Sequence, residues 1–523
     1  MAPLGPSALP AEAEDRRADA RRKIYPLGEL ARVARALRAR GLRLVLCHGT
    51  FDLLHIGHIR HLQRARREGD VLLVTVTADA HVNKGPGRPV FTEGLRAENL
   101  AALECVDYVA VNHAPTAVNV IEALRPHVYA KGSDYRDAAK DVTGAIVQER
   151  AAVEATGGRI LFTDELTSSS TRLLNEHFGV FEPRVRAYLD RLRARHELEA
   201  VDRALEGLRG LRVLVVGDCI VDEYHYTTPL GQTGKGHALA VRYEGEERFA
   251  GGAVAVANHL AELAGSVTLV TGLGGRDSHE AFLRASLGEG VEPVFFVHPE
   301  RATLVKRRYV GEDLGKLFEV YLGGGELTEG AVGRAVAAWL ERHLAGYDAV
   351  VVPDFGNGFV NPRMVELLCE RAPFLAVNAQ LNSGNRGFHA VTRYRRADFV
   401  ALNEPELRLA CADPAAPVET LAESLRRRLG ARQVAVTRGA RGLWMADGGE
   451  GLAVPALAAR VVDRIGAGDA FLAVASLALV GGLPAELAAF LGAAAAALDV
   501  QIVCNREPVR RAALRKFVGT LLK

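Results

Sequence analysis

From Leu27 onward, short apolar runs alternate with amphipathic segments. Leu42–Cys47 is an apolar run that reads as a buried strand, and Ile56–Arg67 carries its apolar residues at helical spacing. Val71–Val76 reads as the next strand, Ala97–Leu103 as a helix and Asp107–Val111 as a strand. Strands alternating with helices predict a parallel sheet covered by helices, an α/β unit over 25–178. From 179 to 208 the residues Val185, Tyr188, Leu189, Leu192, Leu198, Val201 and Leu205 approximate one apolar helix face among dense charges. This predicts a solvated connecting helix, whose face would also suit a homodimer. A second α/β unit, 209–523, opens on the apolar run Leu211–Gly217. Phe471–Val503 is the most apolar stretch, but Gly481, Gly482, Pro484, Glu486 and Asp499 interrupt it. It predicts two buried helices rather than a membrane span.

Composition narrows the class. The 523 residues allow two to four domains at roughly 150 residues each. Apolar residues make up 49% and charged residues 24%, as in an ordered globular protein. The net charge of +2 gives no case for a nucleic-acid partner. Only nine of the 65 basic residues are Lys, so the position of each Lys carries information. The six cysteines are scattered without a CxxC pair, which fits thiols in a reducing cytoplasm. Residues 1–24 lack an apolar signal core and read as a mobile tail.

Two stretches carry chemistry. The first is Cys47-His-Gly-Thr-Phe-Asp-Leu-Leu-His-Ile-Gly-His58, at a switch from strand to helix. His55 and His58 fall on one helical turn, Gly57 lets a ligand approach the backbone, and helix-start N–H groups favour an anion. The arrangement suits a phosphoryl group gaining charge. A metal face of His55, His58 and His61 is the competing reading, although no local carboxylate or Cys completes it. The second is Asp463-Arg-Ile-Gly-Ala-Gly-Asp469 before a strongly helical run. Gly466, Ala467 and Gly468 would offer backbone N–H groups to an anion, and Asp469 could take a proton from an attacking hydroxyl. Gly231-Gln-Thr-Gly-Lys-Gly236 is not a phosphate-binding P-loop, because Pro229 and Gly236 stand where that motif needs Gly and Ser or Thr.

Both stretches resemble known families. Gly49-Thr-Phe-Asp52 with His55-Ile-Gly-His58 resembles the HxGH motif of the cytidylyltransferase-like nucleotidyltransferases. Lys84-Gly-Pro-Gly-Arg88 is similar to that family's triphosphate-gripping loop and Thr167–Arg172 to its hydroxyl-rich helix start, while Lys131-Gly-Ser-Asp134-Tyr135 resembles a segment of the heptose-phosphate members. The resemblance implies a Rossmann-like domain in which a sugar phosphate attacks the α-phosphorus of ATP or CTP. It implies catalytic His55, His58 and Lys84. Gly49, Thr50, Phe51, Arg88, Lys131, Ser170 and Thr171 would hold the nucleotide, and Asp52 and Asp134 the sugar.

The second unit resembles the ribokinase, or PfkB, sugar kinases, with Arg464 in place of the usual Thr. The resemblance implies a ribokinase-like α/β domain with a small β lid, Asp469 as base and Gly466, Ala467 and Gly468 as the phosphoryl hole. Asp218, Asp222, Gly251, Gly252 and Asn258 would bind sugar, and Thr437, Gly439 and Gly442 the nucleotide. Asn403 and Glu406 would organise Mg2+ indirectly, and a monovalent cation would sit near Asp463. Together the halves resemble the bifunctional enzymes of ADP-heptose synthesis in reversed order, which act on small-molecule sugar phosphates and nucleoside triphosphates. A cytidylyltransferase for another phosphorylated polyol, or a kinase half kept only for binding, are the alternatives.

Overall fold

The computed structural model describes residues 20–82, 84, 88–132, 145–163, 181–234, 236–385, 387–458 and 460–523. The chain divides after Glu182 into two compact units, with Arg515–Leu521 grouped with the first.

The first unit is built on β1 (Leu44–Gly49), β2 (Val71–Thr77), β3 (Tyr108–Asn112), β4 (Val128–Gly132) and β5 (Arg159–Thr163). They form one parallel sheet in the order β3-β2-β1-β4-β5. Side chains alternate across a strand. Val45, Cys47, Leu72 and Val74 therefore enter one core with Leu62, Ala97 and Leu100, while Leu44, Leu46, Leu73 and Tyr129 enter the opposite core with Leu30 and Ile121. Burial on both faces explains why these strands read as continuous apolar runs. The strand order reverses between β1 and β4, so a crevice opens beyond their carboxyl ends. The start of the chain differs from expectation. Residues 1–19 lie outside the described residues, but 20–24 are tied down. Ile24 bridges Val109, and Lys23 Nζ donates to the carbonyls of Leu103 and Val106 at 3.1 and 2.9 Å.

The second unit has β6 (Arg212–Val216), β7 (Cys219–Gln232), β8 (Leu239–Gly252), β9 (Ser266–Arg276), β10 (Val291–Ala302), β11 (Val305–Val310), β12 (Lys316–Leu322), β13 (Ala349–Asp354), β14 (Leu375–Ala379), β15 (Phe399–Asn403), β16 (Gln433–Thr437), β17 (Leu443–Ala446) and β18 (Leu452–Val454). Nine strands form the main sheet in the order β10-β9-β6-β13-β14-β15-β16-β17-β18, with only β17 and β18 antiparallel. Its order reverses between β6 and β13. The expected small lid is a four-stranded sheet, β12-β11-β7-β8. Gly231 and Gln232 end β7, and Thr233, Gly234 and Gly236 lie between it and the antiparallel β8, a setting unlike the strand-to-helix turn of a P-loop.

The apolar stretch near the C-terminus is two helices, Ala467–Val480 and Ala485–Asp499, both buried along most of their length. The expected solvated connector is instead two helices, Pro183–Arg195 and Leu198–Gly207. Val185, Leu189, Leu192, Val201 and Leu205 are buried, and Tyr188 packs against Phe490, so this stretch belongs to the core of the second unit. No described helix is long and apolar enough to cross a membrane. All six cysteines are free.

Candidate active sites

In the first unit, the chain leaves β1 through Phe51, held at φ 49°, and enters the helix Ile56–Arg66 at His55. His55 is the N-cap, and its Nδ1 accepts the Gly57 N–H at 3.1 Å. That contact places the His55 proton on Nε2. The rings of His55 and His58 lie 4.1 Å apart, and Phe51 packs edge-on against His58. Burial pushes the His58 pKa down to about 3 and also lowers that of His55. His58 is therefore neutral near pH 7, and the same direction of shift in His55 favours its neutral form, so these rings can donate a hydrogen bond without carrying charge. His61 turns to Thr163, 2.7 Å from its Oγ1, and so braces β5. Its separate role removes the three-histidine metal face. No group of three or more His, Cys, Asp or Glu able to hold a metal occurs among the described residues.

Basic residues gather beside this pair. Lys84 is partly buried, and desolvation with the neighbouring Arg88 charge lowers its pKa to about 7. Arg88 is buried against Asp52, with Nε 2.9 Å from the carboxylate. Asp52 Oδ1 also accepts the N–H groups of Val90 and Phe91. Asp52, expected at the sugar, is therefore occupied in fixing the Arg88–Phe91 segment. Lys131, next to last in β4, pairs with the buried Glu149 at 2.9 Å. Gly49 and Thr50 border the same turn, whereas Asp134, Ser170 and Thr171 lie outside the described residues.

Arg96 was not singled out from sequence. It is fully buried and donates to the carbonyls of Phe91, Thr50 and Thr77 at 2.9, 2.6 and 2.8 Å, and to Asp79. It ties the loops after β1 and β2 together under the crevice.

In the second unit, the carboxylates collect at the end of β6 and along β7. Asp218 is buried and accepts N–H groups from Phe355, Asn357 and Phe359. Burial and the nearby Asp354 charge raise its pKa to about 6. Asp222 forms a buried ion pair with Arg308. Gly251 lies beside it, where a Cβ would sit 2.0 Å from Asp222 Oδ2 and displace that carboxylate. Gly252 starts the following helix. Asn258 is placed differently from expectation. Its Nδ2 donates to the Ser286 carbonyl and its Oδ1 accepts the Gly288 N–H, so its amide holds a turn.

Gly466 caps the helix Ala467–Val480 at φ 100°. A Cβ there would meet Asn505 Oδ1 at 2.7 Å and Asp499 Oδ2 at 2.8 Å. Ala467, Gly468 and Asp469 form the first turn; the Asp469 N–H donates to the Gly466 carbonyl at 2.8 Å, while those of Ala467 and Gly468 precede the first intrahelical bond. Desolvation and the nearby Asp222 charge raise the Asp469 pKa to about 7. A carboxylate of that affinity at the mouth of an N–H cluster can take a proton while the cluster holds an anion.

Asp463 accepts four hydrogen bonds: Tyr224 Oη and the Cys504 N–H on Oδ2, and the Arg464 and Ile465 N–H groups on Oδ1. Its saturation does not fit the expected monovalent cation. Asn403 and Glu406 form a reciprocal cap at the start of the helix Glu404–Cys411, and Glu406 also accepts the Leu381 N–H. Burial raises the Glu406 pKa to about 7. One carboxylate with spare lone pairs fits Mg2+ held mainly by water and substrate phosphates. Thr437 ends β16, and Gly439 and Gly442 shape the turn into β17. Lys306, absent from the sequence reading, lies buried on β11 in register with Asp222.

Comparison with known proteins follows the same division. Residues 211–506 match the family described as pfkB family carbohydrate kinase, and residues 46–175 match the family described as cytidylyltransferase-like. The bifunctional protein HldE of Geotalea uraniireducens is 40% identical over 170 residues, 32% of this chain and 33% of that protein. HldE of Pelobacter propionicus is 42% identical over 155 residues, 29% of this chain and 30% of that protein. The chain thus spans about a third of the length of these curated relatives. Among solved structures, Arabidopsis thaliana ribokinase with ribose and ATP is 22% identical at a TM-score of 0.46, over 60% of this chain and 99% of that one.

Proposed function

The chain belongs to the pfkB family of carbohydrate kinases and carries a cytidylyltransferase-like domain ahead of its kinase, and from that premise we propose that it activates a sugar in two steps. The kinase unit phosphorylates the anomeric hydroxyl of a sugar phosphate. The nucleotidyltransferase unit joins a sugar 1-phosphate to a nucleotide. The sugar is a heptose, the reading supported by the HldE relatives and by the Lys131–Tyr135 segment. The compartment is the cytoplasm, where nucleoside triphosphates are available.

The observation that carries the kinase reading is Asp469, raised to about 7 at the first turn of the helix that Gly466 opens. In the forward step the hydroxyl proton passes to Asp469, the hydroxyl oxygen bonds the γ-phosphorus, and ADP leaves. Gly466, Ala467 and Gly468 receive the transferred phosphoryl, and Asp218 and Asp222 orient the sugar. Mg2+ near Glu406 would neutralise phosphate charge. In the other unit the phosphate oxygen of the sugar bonds the α-phosphorus and pyrophosphate leaves. Neutral His55 and His58 donate to the phosphate oxygens, with Lys84 and Arg88 as cations beside them.

Mass spectrometry of products from the purified chain with ATP, CTP and a panel of heptose and polyol phosphates tests this. A sugar bisphosphate and a nucleotide sugar are expected. Absence of both across the panel would overturn the reading, and the triphosphate consumed separates the ATP enzyme from a CTP-dependent one.

A further inference from the structure

Lys306 is 4% exposed, yet its ammonium makes no hydrogen bond or ion pair with any described residue. Its Nζ stands 5.2 Å from the ring centroid of Tyr321 on β12 and 5.9 Å from that of Phe355 after β13. The side chain thus bridges the small sheet and the main sheet of the second unit. Its carboxylate neighbours are already engaged. Asp222 is paired with Arg308, which also meets Glu319 at 3.3 Å, and Asp218 is turned to three backbone N–H groups. Burial lowers the Lys306 pKa, opposed by the charges of Asp222, Asp218 and Glu319. Aromatic faces only partly compensate a desolvated ammonium. An anionic oxygen of a ligand would give this ammonium the partner that the described residues do not supply. Its register with Asp222 across the β11–β7 pair, and its packing on Phe355, whose N–H is held by Asp218, place that ligand at the kinase site.

We propose that Lys306 binds a phosphoryl oxygen of a substrate in the kinase unit, a contact that rests on the kinase reading above. Two sources share this chemistry: the phosphoryl group being transferred, and a phosphate already carried by the sugar. A compact ammonium suits a single oxygen in a narrow site, where the planar fork of Arg would need more room. Its use here stands out in a chain with nine Lys among 65 basic residues.

The test combines binding and turnover in the full chain. With 13C-labelled lysine, the Lys306 side-chain signal, assigned by its loss in Lys306→Arg, is expected to shift on titration with inorganic phosphate. Lys306→Met is expected to lower kcat/KM of the kinase step by about 100-fold or more. If kcat falls equally with phosphorylated and unphosphorylated sugars, the contact is to the transferred group. If KM rises only for the phosphorylated sugar, the contact is to the sugar's own phosphate. An unmoved Lys306 signal overturns the proposal, as does Lys306→Met turnover within about twofold of the parent. Should the Met variant fail to fold, the wild-type phosphate titration decides. Should the chain lack kinase activity altogether, a phosphate-induced shift would still support the binding site, while the absence of turnover would count against the kinase reading alone.

Discussion

A carboxylate that takes a proton near neutral pH must bind it more tightly than an ordinary Asp. Burial and the Asp222 charge do this to Asp469, raising it to about 7. In its proposed role as base Asp469 works only when ionised, so kinase kcat/KM should rise with pH through about 7 and fall tenfold per unit below it. A pH profile of the kinase step checks this, and Asp469→Asn should abolish sugar phosphorylation while leaving nucleotide-sugar formation intact. Lys84 makes the opposite case. Its pKa is lowered to about 7, so above that pH the empty site holds mostly neutral amine. An arriving triphosphate favours the ammonium, so binding at pH 8 should take up a proton. Calorimetry in buffers of different ionisation enthalpy measures that uptake, and Lys84→Met should lose it. These residues were legible because short motifs fix them on a local turn. Arg96 and Lys306 were not, since what gives them meaning is distant in sequence: Thr50 is 46 residues from Arg96.

At the scale of elements, the helix starts are where sequence and chemistry coincide. Gly466 has φ 100°, and Asp499 and Asn505 fill the space a Cβ would need. Gly466→Ala should cost about 1–3 kcal/mol of stability through backbone strain. It should also remove the kinase product by moving the first-turn N–H groups. Thermal unfolding and the product assay read the two effects, with nucleotidyl transfer as the internal control. The four strands read from sequence, β1, β2, β3 and β6, were legible as apolar runs because both faces of their sheets are buried. The connector was misread. Its apolar residues keep helical spacing to Leu192, and the polar Arg195 and His196 stand where the next would fall, which is where the helix ends. The long β7–β8 hairpin was legible only through family resemblance. Much of β8 is exposed on both faces, so no alternation of apolar and polar residues marks it.

The whole molecule joins a pfkB-family unit to a cytidylyltransferase-like unit on one chain, and under the proposed function their two steps do not connect directly. The kinase step gives a sugar with two phosphates, while the second step takes a sugar 1-phosphate. A phosphatase reaction must intervene, so the intermediate has to leave the protein and return. Fusion then sets equal amounts of the two activities without requiring passage between sites. This division into two α/β units was legible from the change of motif after the charged 179–208 stretch, whereas nothing in composition or spacing specifies the sugar. The consequence is testable by complementation. Asp469→Asn should make no bisphosphate, and His58→Ala should make no nucleotide sugar. An equimolar mixture of the two, with a sugar-bisphosphate phosphatase present, should form nucleotide sugar at about half the rate of the same total amount of wild-type chain, because half of each kind of site remains. A mixture that forms none would show that the intermediate passes only within a single chain.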